Sequence, residues 1–138
     1  MIRLSLPATL PHRDIVLRVV AASCKLRHSS HEREDGEFLD KVVSAVGEAF
    51  NNVAIHAYRD QPDGIVDVEI VLGQDAIQIR LLDTGRSFDP DRVPPPDLAS
   101  LPESHMGLYI IRSLMDEVSY SPGNPPGTPN VLTLSKRF

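Results

Sequence analysis

The stretch Val66-Asp-Val-Glu-Ile-Val-Leu-Gly-Gln-Asp-Ala-Ile-Gln-Ile-Arg-Leu-Leu-Asp83 holds two runs of alternating apolar residues around one glycine. Val66, Val68, Ile70 and Leu72 share a parity in the first run, and Ile77, Ile79 and Leu81 share one in the second. Successive side chains of an extended chain point to opposite faces, so each run reads as a strand with one buried side. Gly73-Gln74 suits a two-residue hairpin turn with Gly in first position. A hairpin of this kind presents an apolar face, and that face needs a cover.

The cover is predicted on both sides of the hairpin. Residues 37–59 carry the longest helical pattern. Leu39, Val42, Val43, Val46, Phe50, Val53 and Ala57 recur at three- and four-residue steps, until Pro62, Asp63 and Gly64 stop it. Residues 13–27 read as an earlier helix, and residues 2–6 alternate as a half-buried strand. Downstream, residues 106–118 resume a helical period through Leu108, Ile111, Leu114, Met115 and Val118. Residues 130–137 alternate through Val131, Leu132 and Leu134 as a last strand. A polar connector at 28–36 and a Pro/Gly turn region at 121–129 join these pieces. The order is β-α-α-β-β-loop-α-β-β or close to it. It implies an α+β two-layer sandwich, with a mixed, mostly antiparallel sheet and helices on one face. No internal repeat is visible, and 138 residues suit one domain over 1–138.

Composition narrows the function classes. The chain is 41% hydrophobic and 24% charged, as soluble domains are. Its formal charge of −5 argues against direct nucleic-acid binding, whose footprint is basic. Cys24 is the only cysteine, so no intramolecular disulfide is possible, which fits a reducing cytoplasm. It lies in an apolar run and reads as a small buried hydrophobe, with a catalytic thiol as the competing reading. Arg18 interrupts that run, and Arg13 and Asp14 precede it, so it is neither a membrane span nor a signal peptide.

Three places break local rules. Asn51 and Asn52 sit inside the 37–59 helical pattern, where Asn competes with the backbone for hydrogen bonds. Glu48 stands one turn before Asn52, so the two side chains share a side. An amide oxygen coordinates a hard cation, and a carboxylate orients or deprotonates a hydroxyl. A solvated polar face is the competing reading. Asp83 has the parity of Ile77, Ile79 and Leu81, so it points inward, where a carboxylate is costly without a partner. A ligand amine would satisfy it, and Gly85 would let a group approach closely. A turn-capping Asp is the alternative. Gly107 opens the helix after the proline-rich 84–105 loop, where free backbone N–H groups favour phosphate. A plain hinge glycine is the alternative there. A shared ligand would lie among these three elements, with the long loop closing over it as a lid. There is no Gly-x-x-x-x-Gly-Lys loop. His28 and His31 could bind a metal, but a pair in a polar connector is usually solvated.

These residues resemble a known family. Glu48-Ala-Phe-Asn-Asn-Val-Ala-Ile-His-Ala-Tyr58 is similar to the N-box of the gyrase/Hsp90/histidine-kinase/MutL (GHKL) ATPases, and its His-Ala-Tyr ending to that of anti-sigma-factor serine kinases. Asp83-Thr-Gly-Arg-Ser-Phe-Asp-Pro90 resembles their G1 box. Met106-Gly-Leu-Tyr-Ile-Ile-Arg-Ser-Leu-Met-Asp-Glu-Val-Ser-Tyr120 resembles their G2 box and the helix after it, and Asn130-Val-Leu-Thr-Leu-Ser-Lys136 their last strand. The resemblance runs in order from about residue 37 to the end, and the RsbW-like switch kinases are the nearest group.

The resemblance implies ATP and Mg²⁺ as ligands, with phosphoryl transfer to a serine of an anti-anti-sigma partner and sequestration of a sigma factor. Glu48 would be the general base and Asn52 the Mg²⁺ ligand. Asp83 would bind the adenine amine, with Gly85 below the base. Gly107 would touch the phosphates, and Thr128 would support the adenine pocket. A homodimer in the cytoplasm is implied as well. One departure stands out: the family has glycine two residues before Gly107, and this chain has His105. A side chain there bears on phosphate contact, so a non-catalytic ATP-binding anti-sigma module is the alternative function. A histidine-kinase fragment is a further reading, but no span has room for a dimerisation helix pair with a phospho-accepting His.

Overall fold

In the computed structural model, residues 1–28, 36–59, 61, 63–87, 103–123 and 127–138 are described, without the side chains of 27, 28 and 103–106. The elements are β1 (Ile2–Pro7), α1 (Leu10–His28), α2 (Gly36–Asn51), a π-helix (Asn52–Ala57), β2 (Ile65–Leu72), β3 (Ala76–Asp83), α3 (Glu103–Leu114), β4 (Glu117–Ser121) and β5 (Asn130–Arg137). The 28–36 connector and most of the proposed lid lie outside the described residues.

Among the described residues the five strands form one sheet in the order β1-β2-β3-β5-β4, and all four pairings are antiparallel, so the sheet is not the mixed one expected. Register follows the apolar parity: Ile70 faces Ile79, which faces Leu134, and Val68 faces Leu81, which faces Leu132. These residues are at most 4% exposed and make one continuous aliphatic face. The helices cover it. Val16, Val20 and Cys24 of α1 recur four apart and are fully buried, as are Val42, Val46 and Phe50 of α2. α2 packs against α1, α3 and β3, so it is the central helix. The opposite face of the sheet carries polar residues. There Arg80 Nη1 lies 3.1 Å from Glu69 Oε1, an ion pair without hydrogen-bond geometry. No helix among the described residues is long and apolar enough to cross a membrane.

Three boundaries differ from the sequence expectation. The β2–β3 loop is Gln74-Asp75 rather than Gly73-Gln74: Gly73 donates its N–H to the Ala76 carbonyl at 2.9 Å and so belongs to the ladder. Neither loop residue has a positive φ, so the turn does not use a glycine. The helix expected over 106–118 runs from Glu103 to Leu114. Its expected tail is β4, where Val118 and Tyr120 pair with Leu134 and Leu132. Cross-strand burial decides that segment against its helical period.

The third difference is chemical. The helix expected over 37–59 is α-helical only to Asn51 and continues as a π-helix, with Tyr58 N–H bonded to the Val53 carbonyl at 3.2 Å. Asn52, Val53, Ala57 and Tyr58 are all buried, two pairs spaced by five. In an α-helix, residues five apart are rotated by about 140°. The wider i→i+5 turn brings them to one side, and such turns recur at functional sites.

Candidate functional site

Glu48 and Asn52 lie one turn apart across the α2–π junction, as the spacing requires. The observation that joins them to the third expected residue is at Gly107. A Cβ built there would stand 3.2 Å from Glu48 Oε2 and 3.4 Å from Asn52 Oδ1. The α3 backbone therefore approaches both oxygens at the one position without a side chain. Asn52 is only 9% exposed. Asn51 next to it is partly buried, and its Oδ1 takes no hydrogen bond.

Gly107 is not where the sequence reading put it. α3 is already formed at Glu103, so Gly107 stands in its second turn and not at its opening. Only the first four N–H groups of a helix lack an internal partner. The free N–H argument for phosphate thus passes to residues 103–106, and what Gly107 offers is space. His105 lies within α3, and its side chain is outside the described part.

Asp83 ends β3 between Val66 and Asn130, on the inward side and 7% exposed. Its Oδ1 accepts the Gly85 N–H at 2.9 Å and the Asn130 Nδ2 at 3.0 Å. The turn-capping role and the inward-facing role are therefore both occupied, by one oxygen. Burial pushes the Asp83 carboxyl above its ordinary range, and the Asn130 and Gly85 donors oppose that.

The Asp83–Arg86 turn is fastened to the end of the π-helix. Arg86 N–H donates to the Ala57 carbonyl at 2.8 Å. A Cβ on Gly85 would overlap that same carbonyl, so only glycine allows the approach. Tyr58 supplies a second tie. Its hydroxyl donates to the Ile65 carbonyl at 2.7 Å and accepts the Thr84 N–H at 2.8 Å. The Tyr58 ring lies where a Cβ on Gly64 would be. The π-helix thus connects two groups: Glu48, Asn52 and Gly107 at its start, and Asp83, Gly85 and Asn130 at its end. A surface cleft of about 420 Å³ lined by Tyr58, Gln61, Asp63, Gly64, Ile65 and Thr84 includes none of the proposed nucleotide residues.

Thr128 makes no hydrogen bond to Asp83 among the described residues. It is exposed and lies two residues before β5. The side chain that bonds Asp83 is Asn130, which the sequence reading did not single out. The signal was present: Asn130 shares the parity of Leu132 and Leu134 and so points inward, as Asp83 does. Tyr58 was quoted only as part of a motif. Nothing local marks it, because Thr84 is distant in sequence and Ile65 lies beyond the turn that ends the helix. Cys24 is fully buried, and burial raises its thiol pKa to about 11, so it is a core residue and not a nucleophile.

A Mg²⁺–nucleotide fits this donor set. Asn52 offers a neutral hard oxygen, and Mg²⁺ is ordinarily held by few protein groups plus phosphates and water. Among the described residues no cluster of three or more His, Cys, Asp or Glu could hold a metal by itself.

Known proteins resemble this chain in sequence and in fold. Residues 6–136 match the family model described as histidine kinase-like ATPase domain. Serine-protein kinase RsbW of Oceanobacillus iheyensis is 32% identical over 90 residues, which are 59% of this chain and 57% of that relative. Anti-sigma F factor of Bacillus cytotoxicus is 33% identical over 101 residues, 70% of this chain and 69% of the relative. The fold is similar to that of the mycobacterial sensor histidine kinase MprB, with a TM-score of 0.55 at 14% identity, covering 99% of this chain and 97% of the other.

Proposed function

The chain belongs to the histidine kinase-like ATPase domain family, and from that premise we propose that it is an ATP- and Mg²⁺-dependent serine-protein kinase of the anti-sigma type. Its substrate would be a serine of an anti-anti-sigma, STAS-type protein, and it would also sequester a sigma factor. The names of its relatives support the class of reaction. The observation that carries the reading is the approach of Gly107 to both Glu48 Oε2 and Asn52 Oδ1. Base, metal ligand and open backbone meet at one point, as phosphoryl transfer needs.

Each residue has a part in the reaction. Asp83 accepts a hydrogen bond from the adenine amine and fixes the base, with Gly85 leaving room beneath it. Asn52 would hold Mg²⁺, which neutralises phosphate charge when bound. Glu48 accepts the proton of the attacking serine hydroxyl. The serine oxygen bonds to the γ-phosphorus while the bond to the β-phosphate oxygen breaks and ADP leaves. A homodimer in the cytoplasm completes the proposal.

The test uses labelled γ-phosphate. The wild type should transfer label to a STAS-type partner, and Glu48→Ala should bind ATP but transfer none. A second reading rests on α3 being helical through His105, where the family has glycine. On that reading the protein binds nucleotide and a regulator without catalysis. ATP binding with no transfer by the wild type would select it and overturn the kinase.

A further inference from the structure

The side-chain amide of Asn130 is engaged at both ends. Its Nδ2 donates to Asp83 Oδ1 and to the Gly85 carbonyl, each at 3.0 Å. Its Oδ1 accepts the Gly123 N–H at 2.8 Å. Two of these partners can only accept and the third can only donate, so the amide has one orientation. The residue is 2% exposed and has no freedom to turn toward water.

The consequence falls on Asp83. Two donors, Asn130 Nδ2 and the Gly85 N–H, hold Oδ1. Among the described residues Oδ2 receives no hydrogen bond. A free aspartate exchanges its two oxygens by rotating about the last side-chain bond, which has a broad two-fold profile. Here that rotation would break two hydrogen bonds in a buried place. We propose that Asn130 is a positioning residue that sets base selectivity, by locking Asp83 so that Oδ2 alone is presented to the 6-amino group of a purine nucleotide. The proposal rests on the ATP-binding reading above and adds to it the residue that makes the acidic group selective.

The same contacts favour the charged carboxylate against the cost of burial, and a charged acceptor makes the stronger hydrogen bond. Through Gly123 the amide also ties the segment after β4 to the Asp83–Gly85 turn. The selective oxygen is therefore set by contacts from the turn after β3, from β5 and from the segment between β4 and β5.

The test is the affinity ratio between ATP and purine riboside triphosphate, which lacks the 6-amino group, measured by titration calorimetry. The wild type should favour ATP. Asn130→Ala should lower that ratio by about tenfold, the scale of one hydrogen bond to a charged group. Affinity for the analogue should stay near the wild-type value. In an Asp83→Asn background, Asn130→Ala should change the ratio no further, because the first residue acts through the second. A merely structural role would weaken both nucleotides alike, and an unchanged ratio in Asn130→Ala overturns the proposal. Should that variant fail to fold by circular dichroism, Asn130→Ser carries the comparison. It keeps one donor but not the Gly85 contact, so an intermediate ratio is expected and an unchanged one overturns the idea. A wild type that binds no ATP would instead overturn the ATP reading itself.

Discussion

Asp83 holds a charge where charge is costly. It is 7% exposed, and burial raises its pKa despite two donors on Oδ1. The folded state therefore binds its proton more readily than the unfolded chain, whose carboxyl titrates near 3.8. The stability contributed by that proton is complete below 3.8 and is lost as pH rises through the folded value. Ionisation of this group therefore costs the fold stability. Asp83→Asn retains an oxygen for Asn130 and Gly85, so its melting temperature at pH 7 should equal or exceed that of the wild type. The gap should narrow as pH falls toward 4. Calorimetric scans across pH check this, and a variant less stable by a constant amount at every pH contradicts it. Titration with ATP should meanwhile show weaker, still measurable binding by the same variant.

The π-helix and α3 decide how the site is assembled. A continuous α-helix through 52–57 would place Asn52 and Ala57 on different sides, and so part the Asn52 amide from the carbonyl that fastens Arg86. The π turn keeps both buried on one side. α3 then brings Gly107 against Glu48 and Asn52. Gly107→Ala separates folding from function. Alanine is favoured over glycine inside a helix by about 1 kcal/mol. Its Cβ would meet two side-chain oxygens at 3.2 and 3.4 Å, not backbone. The variant should be as stable as the wild type in urea, yet bind ATP less tightly and transfer less phosphate. Unchanged nucleotide affinity would show that the space at Gly107 is not used. Gly85 is different, because its added carbon meets the rigid Ala57 carbonyl and the turn itself would have to move.

At the scale of the whole molecule, one aliphatic sheet face and three helices share a single core. Ile79 lies between Ile70 and Leu134, all within 1% exposure. Ile79→Ala should cost about 2–5 kcal/mol, the range for deleting a large core side chain. Leu82→Ala, on the opposite and partly exposed face, should cost distinctly less in the same urea experiment. Equal costs would mean that the helical layer does not cover β3 as described. Much of this architecture was legible beforehand. Alternating parity at 66–83 and 130–137 announced the strands, and parity also turned Asp83 inward. The Glu48–Asn52 spacing placed two polar groups on one helical side. These are local periodicities, and a chain carries them wherever it folds. What the sequence could not determine are partnerships between distant residues. The segment 117–121 became a strand only because β5 was there to pair with it. Asn130 meets Asp83 because strand register, not proximity to a motif, chooses the partner. The π turn and the Tyr58 strap exist because Ile65, Thr84 and Arg86 converge on the end of one helix. Hydrogen bonds across such separations are set by tertiary packing, so only the folded structure decides them.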